Sequence, residues 1–226
     1  MKQASHPSQD EAWLRALAEE EMATDFDTAA AAIVAAGRFI DRHGWAPAGS
    51  GNYSHRLDDG SIAITVSGTH KGRIGTSEVM RIDRRGQSLD GKTPSAETLL
   101  HTLLYQMFPR VNAVLHTHSV PAVVLTRLAH DGQRLRLSGY ELLKAFPGID
   151  THDAAVDIPI FANSQDMAVL SSHAELTLLQ AHAPVFLIRE HGLYGWGTTM
   201  DEALRVVEAA ETLLCCELEI MKAARR

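Results

Sequence analysis

Two histidines, His116 and His118, flank Thr117 directly after the apolar run Ala113-Val114-Leu115. That run predicts a strand entering the core. On a strand, residues i and i+2 project from one face, so the two imidazoles would stand side by side. Neutral imidazole nitrogens bind zinc, and catalytic zinc sites use three protein ligands and leave a fourth position open. A lone His-X-His also fits two polar residues on a solvated strand face. Here the apolar flank argues against that, because two histidines at the end of a core strand need polar partners. His191 is the third candidate. It follows a second apolar run, Val185 to Ile188, and precedes Gly192, so it too falls at a strand end, where open α/β sheets gather ligands. Zinc on His116, His118 and His191 is the expected metal site, although three imidazoles also accept iron, cobalt or nickel.

Two carboxylates could move protons beside such a metal. Glu97 stands near the start of a predicted helix, where the helix dipole favours its ionised form, and its plain alternative is a capping-region acid. Glu141 begins Glu-Leu-Leu-Lys-Ala-Phe, and its plain alternative is a solvated first-turn acid. A phosphate site is suggested by Gly51-Asn52 and by the loop Ser67-Gly68-Thr69-His70-Lys71-Gly72-Arg73, which combines hydroxyls, backbone N–H groups and two cations. A polar turn between strands would read the same way. The other nine histidines have local explanations. His101, four residues after Glu97, fits a helix-face pair. His43, His130, His173 and His182 fall near helix ends, and His6, His55, His70 and His152 fall in loops or strand edges.

These residues need elements to hold them. Residues 1–10 read as a loose tail, followed by two helices. Trp13, Leu14 and Leu17 share a face of the first; Ile33, Val34, Phe39 and Ile40 line the second, which Gly44 stops. An extended run follows Gly51, and Ile62, Ile64 and Val66 alternate as a strand. Val79 to Gly91 reads as a strand pair turning at Arg85-Gly86. Residues 94–109 predict a helix capped by Ser95, with a face of Leu99, Leu103 and Met107 beside Leu100 and Leu104. Helices are also expected over 120–132, 141–146, 166–183 and 198–226, and a strand over 154–162. The alternation gives an α/β class with a mixed sheet between helical layers.

Composition excludes other classes. The chain has 226 residues, 45% hydrophobic and 22% charged, enough for one core without disulfides. A net charge of −7 does not suit a nucleic-acid binder. No apolar stretch of membrane-spanning length occurs, and the N-terminus has no signal-peptide h-region. Cys215 and Cys216 are adjacent on a predicted helix, where neighbours diverge by about 100°, so a reducing, cytoplasmic setting is expected. Residues 11–226 are expected to form a single catalytic domain.

The order Gly-Asn at 51–52, Ser-Gly at 67–68, Ser-Ala-Glu at 95–97, His-Thr-His at 116–118 and Glu-His-Gly at 190–192 resembles the class II (zinc) aldolase and adducin-head family. The resemblance covers about residues 25–222. The segments SGTHKGRI, PSAETLLHTLLY, AVLHTHS, YELLKAF, IPIFANSQDM and IREHGLYGWG most resemble the family's dehydratases, which act in methionine salvage. This implies a three-layer αβα fold with a mixed, mainly antiparallel sheet. It also implies a homotetramer with active sites near subunit contacts and one zinc per subunit on the three histidines. The reaction would be a hydro-lyase step on a phosphorylated ketose. Glu141 matches the dehydratases' acid/base and Glu97 the aldolases' catalytic acid. Ser67, Gly68, Gly51, Asn52 and Ser95 would receive the phosphate. Where the aldolases commonly carry Ser-Ser-Glu, this chain has Ala96, and Lys71 is expected to replace the missing hydroxyl. A sugar-phosphate aldolase or 4-epimerase would use the same metal site. A metal-free scaffold like the adducin head would not need the three histidines that are present.

Overall fold

The structure, a computed structural model, describes residues 24–130, 132–179 and 183–224. The expected tail, the first expected helix with Trp13, Leu14 and Leu17, and also His6 and His182 lie outside the described residues.

Helix α1 spans Phe26–Arg42 and is capped by Asp25, whose carboxylate accepts from the Thr28 N–H at 2.8 Å. It buries Ala29, Ala30, Ile33, Val34, Ala36, Gly37 and Ile40. Three strands follow: β1 (Asn52–Arg56), β2 (Ile62–Thr65) and β3 (Val79–Ile82). Then come α2 (Thr98–Met107), β4 (Ala113–Thr117), α3 (Val120–Leu128) and β5 (Arg134–Ser138). A short 3₁₀ turn, Glu141–Ala145, leads to β6 (Ala155–Phe161), α4 (Met167–Leu178), β7 (Val185–Ile188), β8 (Gly192–Gly197) and the long α5 (Met200–Ala223). No described helix is long and apolar enough to cross a membrane.

The strands form one sheet in the order β3-β2-β1-β4-β8-β7-β6-β5. Every neighbouring pair is antiparallel except β6 with β7. Alternation along each strand divides the core into two layers. Ala113 and Leu115 of β4, with Leu193 of β8, pack under α1, α3 and α5. Val114, Tyr194 and Trp196 pack on the opposite face with Leu100, Leu104, Leu170 and Leu178 of α2 and α4. The class is therefore a three-layer αβα sandwich around a mixed, mainly antiparallel sheet, as expected.

Four local expectations change. Strand β8 was not expected, because three of the six residues of Gly-Leu-Tyr-Gly-Trp-Gly are glycine. Its glycines are there for closeness: a Cβ on Gly195 would lie 2.6 Å from Val207 of α5, and one on Gly197 would lie 2.6 Å from the Ala203 nitrogen. Strand β5 was also missed, since Arg134 and Arg136 alternate with leucines on an edge that pairs only with β6. The expected pair after Val79 is reduced to β3 and a single bridge, Ile82 to Ser88. Finally, α2 begins later than predicted. The Ser95 backbone carbonyl accepts from Thr98, Glu97 occupies the cap position, and no side chain caps the helix. Its inward face is Leu100, His101, Leu104 and Tyr105, while Leu99 is 43% exposed.

Candidate metal centre

His116 stands near the end of β4 and pairs with Asn52 of β1 on one side and Tyr194 of β8 on the other. Its ring stacks on Tyr194 at 4.1 Å between centroids. His116 Nδ1 lies 2.9 Å from the Leu193 carbonyl. A carbonyl can only accept, so Nδ1 carries a proton, and Nε2 is the nitrogen turned toward the cluster, as in metal-binding histidines. His118 leaves the strand with its N–H on the Trp45 carbonyl at 2.8 Å. The chain turns at Glu190, a non-glycine residue at φ 53°, to bring His191 to the same place. The His118 ring lies 4.5 Å from His116 and 4.6 Å from His191 between centroids.

Glu97 joins the three histidines. Its Oε2 is 3.1 Å from His116 Nε2 and its Oε1 is 3.0 Å from His191 Nε2. Each of the four residues offers a ligand atom within 4.8 Å of all the others. The donor set suits a cation. His116 and His191 bring their Nε2 atoms to 3.4 Å of each other, and Glu97 sets an oxygen beside each. Burial, reinforced by His116 and His191, pushes His118 down to about 3, which keeps it as the neutral imidazole that metals bind. Burial works to raise the Glu97 carboxyl, but His116 and His191 outweigh it and hold the group well below the usual carboxylate range.

Tight backbone packing fixes the cluster. Gly51 is at φ 84°, and a Cβ there would collide with the His116 carbonyl. One on Gly192 would collide with the Thr117 carbonyl and reach 3.0 Å from the His116 ring. Between the two histidines, Thr117 turns to the other face of the sheet, where its hydroxyl donates to Glu211 of α5. Burial pushes the Glu211 carboxyl up to about 7 against the hydroxyls of Ser119 and Thr117. On the metal-facing side, Asn52 Nδ2 donates to Glu97 Oε2 at 2.8 Å and the Tyr194 hydroxyl donates to the same oxygen at 2.9 Å. An open cleft of about 530 Å³ reaches His118 and His191, with Ser50, Asn163, Gln165 and Glu190 also on its walls.

The family model for the class II aldolase and adducin N-terminal domain matches residues 31–218. This chain is a class II aldolase family member. A methylthioribulose-1-phosphate dehydratase of Marinobacter nauticus is 51% identical over 89% of this chain and 98% of its own length. One of Methylococcus capsulatus is 50% identical over 86% and 95%. Among solved structures, an L-fuculose 1-phosphate aldolase matches with a TM-score of 0.73 at 20% identity over 89% of each chain. One from Thermus thermophilus matches with 0.68 at 22% identity, over 87% of this chain and 96% of its own. Both structural likenesses speak for the fold.

On this class II aldolase frame the remaining candidates separate. The antiparallel bridge between Val66 and Pro94 sets exposed Ser67 opposite Thr93, whose carbonyl accepts from the Ser67 N–H at 3.1 Å, while Ser95 lies on the other side of the bridge. Lys71 departs from expectation. It is buried, and Nζ sits 2.7 Å from the Thr69 carbonyl and 3.3 Å from both the Val66 carbonyl and the Thr69 hydroxyl. An ammonium has three donors, and here all three face oxygens of its own loop. Lys71 thus ties the loop together, and Gly37 of α1, without a Cβ, lets the Lys71 backbone approach. Glu141 does not join the histidines. It lies on the 3₁₀ turn with a 72% exposed side chain, 2.6 Å from Lys144 Nζ, and does not line the cleft. The Lys144 hydrogen bond keeps its pKa low. His101 was expected to pair with Glu97 along the helix face; it is instead fully buried against Asn52 and Ser54. Asn163 and Gln165 fall in the segment IPIFANSQDM that carries the resemblance, but as residues they gave no chemical signal beyond polarity.

Proposed function

We propose that the chain is a zinc-dependent hydro-lyase of methionine salvage. It converts 5-methylthioribulose 1-phosphate to 2,3-diketo-5-methylthiopentyl 1-phosphate and water. The observation that carries this reading is the four-donor cluster of Glu97, His116, His118 and His191 in a chain 51% identical, over 89% of its length, to a named methylthioribulose-1-phosphate dehydratase. His116, His118 and His191 would hold the ion. Bound there, zinc supplies Lewis-acid polarisation of the ketose carbonyl, which acidifies the neighbouring C3–H.

The chain's own groups do the rest. Ser67, Gly68 and Ser95 present donors to the phosphate, with Gly51 allowing close backbone approach and Lys71 keeping the loop in shape, whereas the Asn52 amide is taken up by Glu97 and His101. Glu97 orients the substrate beside the histidines. Glu141 takes the C3 proton, the C4 hydroxyl is protonated by an acid and departs as water, and the enol gives up its hydroxyl proton and gains one at C4 to become the diketone. Because Glu141 stands off its own chain's cleft, we assign it to the site of a neighbouring subunit in a homotetramer. A cytoplasmic setting fits the free thiols of Cys215 and Cys216. Zinc-loaded protein should release the diketone from methylthioribulose 1-phosphate and leave fuculose 1-phosphate and ribulose phosphates uncleaved. Cleavage of either of the latter with no dehydration would replace this reading by the aldolase one.

A further inference from the structure

A chain of buried polar groups runs from the outer end of α2 to the metal centre, and the catalytic scheme above uses only its last member. His101, one turn beyond Glu97 on α2, is fully buried. Its Nδ1 lies 2.7 Å from Ser54 Oγ, and its Nε2 contacts Asn52 Oδ1. Ser54 Oγ lies 2.7 Å from the Tyr105 hydroxyl. At the other end Asn52 Nδ2 meets Glu97 Oε2 at 2.8 Å.

The proton directions follow from the carboxylate. An ionised carboxylate only accepts, so Asn52 must present its NH₂ to Glu97 and its carbonyl oxygen to His101. That oxygen accepts, so His101 carries its proton on Nε2. Nδ1 is then an acceptor and takes the Ser54 hydroxyl proton, and Ser54 Oγ accepts in turn from Tyr105. All four bonds point the same way, toward Glu97, and such chains strengthen by mutual polarisation. Burial, with the nearby His116 adding to it, pushes His101 down to about 3, so the ring stays neutral in this arrangement.

We infer that His101 is a positioning residue of the metal centre: its Nε2–H fixes the Asn52 amide so that Asn52 donates to Glu97 and locks that carboxylate against His116 and His191. Without the His101 donor, the Asn52 oxygen is stranded in a buried site, which costs the desolvation of an unpaired acceptor. The amide is then free to flip and turn its oxygen toward the carboxylate, where two acceptors repel. The inference rests on the reading of Glu97 as part of the metal cluster.

A double-mutant cycle on the zinc-loaded full chain tests it, with His101→Leu, Asn52→Ala, their combination, His101→Gln and Ser54→Ala. Four quantities are read: the zinc dissociation constant by chelator competition, kcat and KM for dehydration, and the melting temperature. His101→Leu should weaken zinc binding about 10- to 100-fold, the range for partners that orient ligands, and lower kcat more than it raises KM. In the Asn52→Ala background the same change should add less than about twofold, because the two residues act as one unit. His101→Gln, which keeps an N–H for Asn52, should regain most of the loss, and Ser54→Ala should show a smaller loss of the same kind. Additive losses overturn the inference, as does a folded His101→Gln as poor as His101→Leu. If His101→Leu does not fold, the Ser54→Ala and Asn52→Ala cycle is judged by the same criterion. Wild-type protein that takes up no zinc overturns both this inference and the proposed function. Protein that binds zinc but dehydrates nothing removes only the substrate assignment, and the zinc cycle still decides the role of His101.

Discussion

At the scale of single residues, spacing in the sequence revealed the histidines and did not reveal what surrounds them. The i, i+2 rule and two apolar runs were enough to single out His116, His118 and His191, although only His116 lies within a strand, His118 following β4 and His191 sitting in the turn before β8. Glu97 was visible as a carboxylate but not as a member of the cluster. That role needs its helix to start two residues later than a Ser95 cap suggested, with Glu97 at the cap position and its carboxylate free of capping. His101 was hidden because an i, i+4 pair with Glu97 has an ordinary surface explanation. These assignments separate in one experiment. Replacing His116, His118 or His191 by Ala should sharply lower the roughly one zinc per chain expected for this site, measured by metal analysis of purified protein. Full occupancy in His191→Ala would mean that the third ligand is wrongly named. Glu141→Gln should keep its zinc and lose kcat by about 10²-fold or more, since an amide cannot accept the C3 proton. Glu97→Gln should weaken zinc binding while costing less in the proton-transfer step. A substrate deuterated at C3 should show a primary isotope effect in wild type, and none if C3–H cleavage is not rate-limiting.

At the scale of elements, the metal strand is held from behind by α5. Thr117 and Ser119 lean on Glu211, whose carboxyl is raised to about 7 from an ordinary 4.5. A carboxyl with a raised folded pKa favours the fold fully only below its unfolded pKa, and that contribution is lost as pH climbs through the folded value. Wild type should therefore lose stability relative to Glu211→Gln between about pH 4.5 and pH 7, by on the order of 3 kcal/mol at roughly 1.4 kcal/mol per pKa unit. The two should converge below that window. Urea titrations of both proteins at several pH values, with chelator present, give this difference directly. A difference independent of pH would mean that Glu211 is ionised throughout. Helix α5 itself was easy to read from its length and its cap. Strand β8, its main partner, was not: three of its six residues are glycine, chosen to admit α5 and β4, and a strand selected for small volume carries no hydrophobic alternation.

At the scale of the whole molecule, the α/β layering was legible because the apolar periods of helices and strands alternate along the chain. Sheet order was not, since β4 pairs with β1 and β8 across long stretches of sequence. The placement of Glu141 belongs to this scale as well. The turn that carries it packs beside α5, on the side of the sheet opposite α2, and leaves the side chain in solvent next to Lys144. A catalytic base cannot act from there on its own chain's cleft, so the proposed mechanism requires a second copy to deliver it. Subunit mixing tests that requirement. Glu141→Gln keeps its metal site and lacks the base, whereas His116→Ala keeps the base and lacks the metal site. Each should be nearly inactive alone. If bases are exchanged between neighbours, randomly reassembled equal mixtures should contain intact composite sites. With half the subunits supplying histidines and half of their neighbours supplying Glu141, about a quarter of the sites should work. Activity should rise with reassembly and be absent when the two proteins are mixed without dissociation. If reassembled mixtures stay inactive, Glu141 either serves its own chain or is not the base, and Glu141→Gln on its own tells these apart: retained activity removes it from the chemistry, and lost activity places it in the site of its own chain.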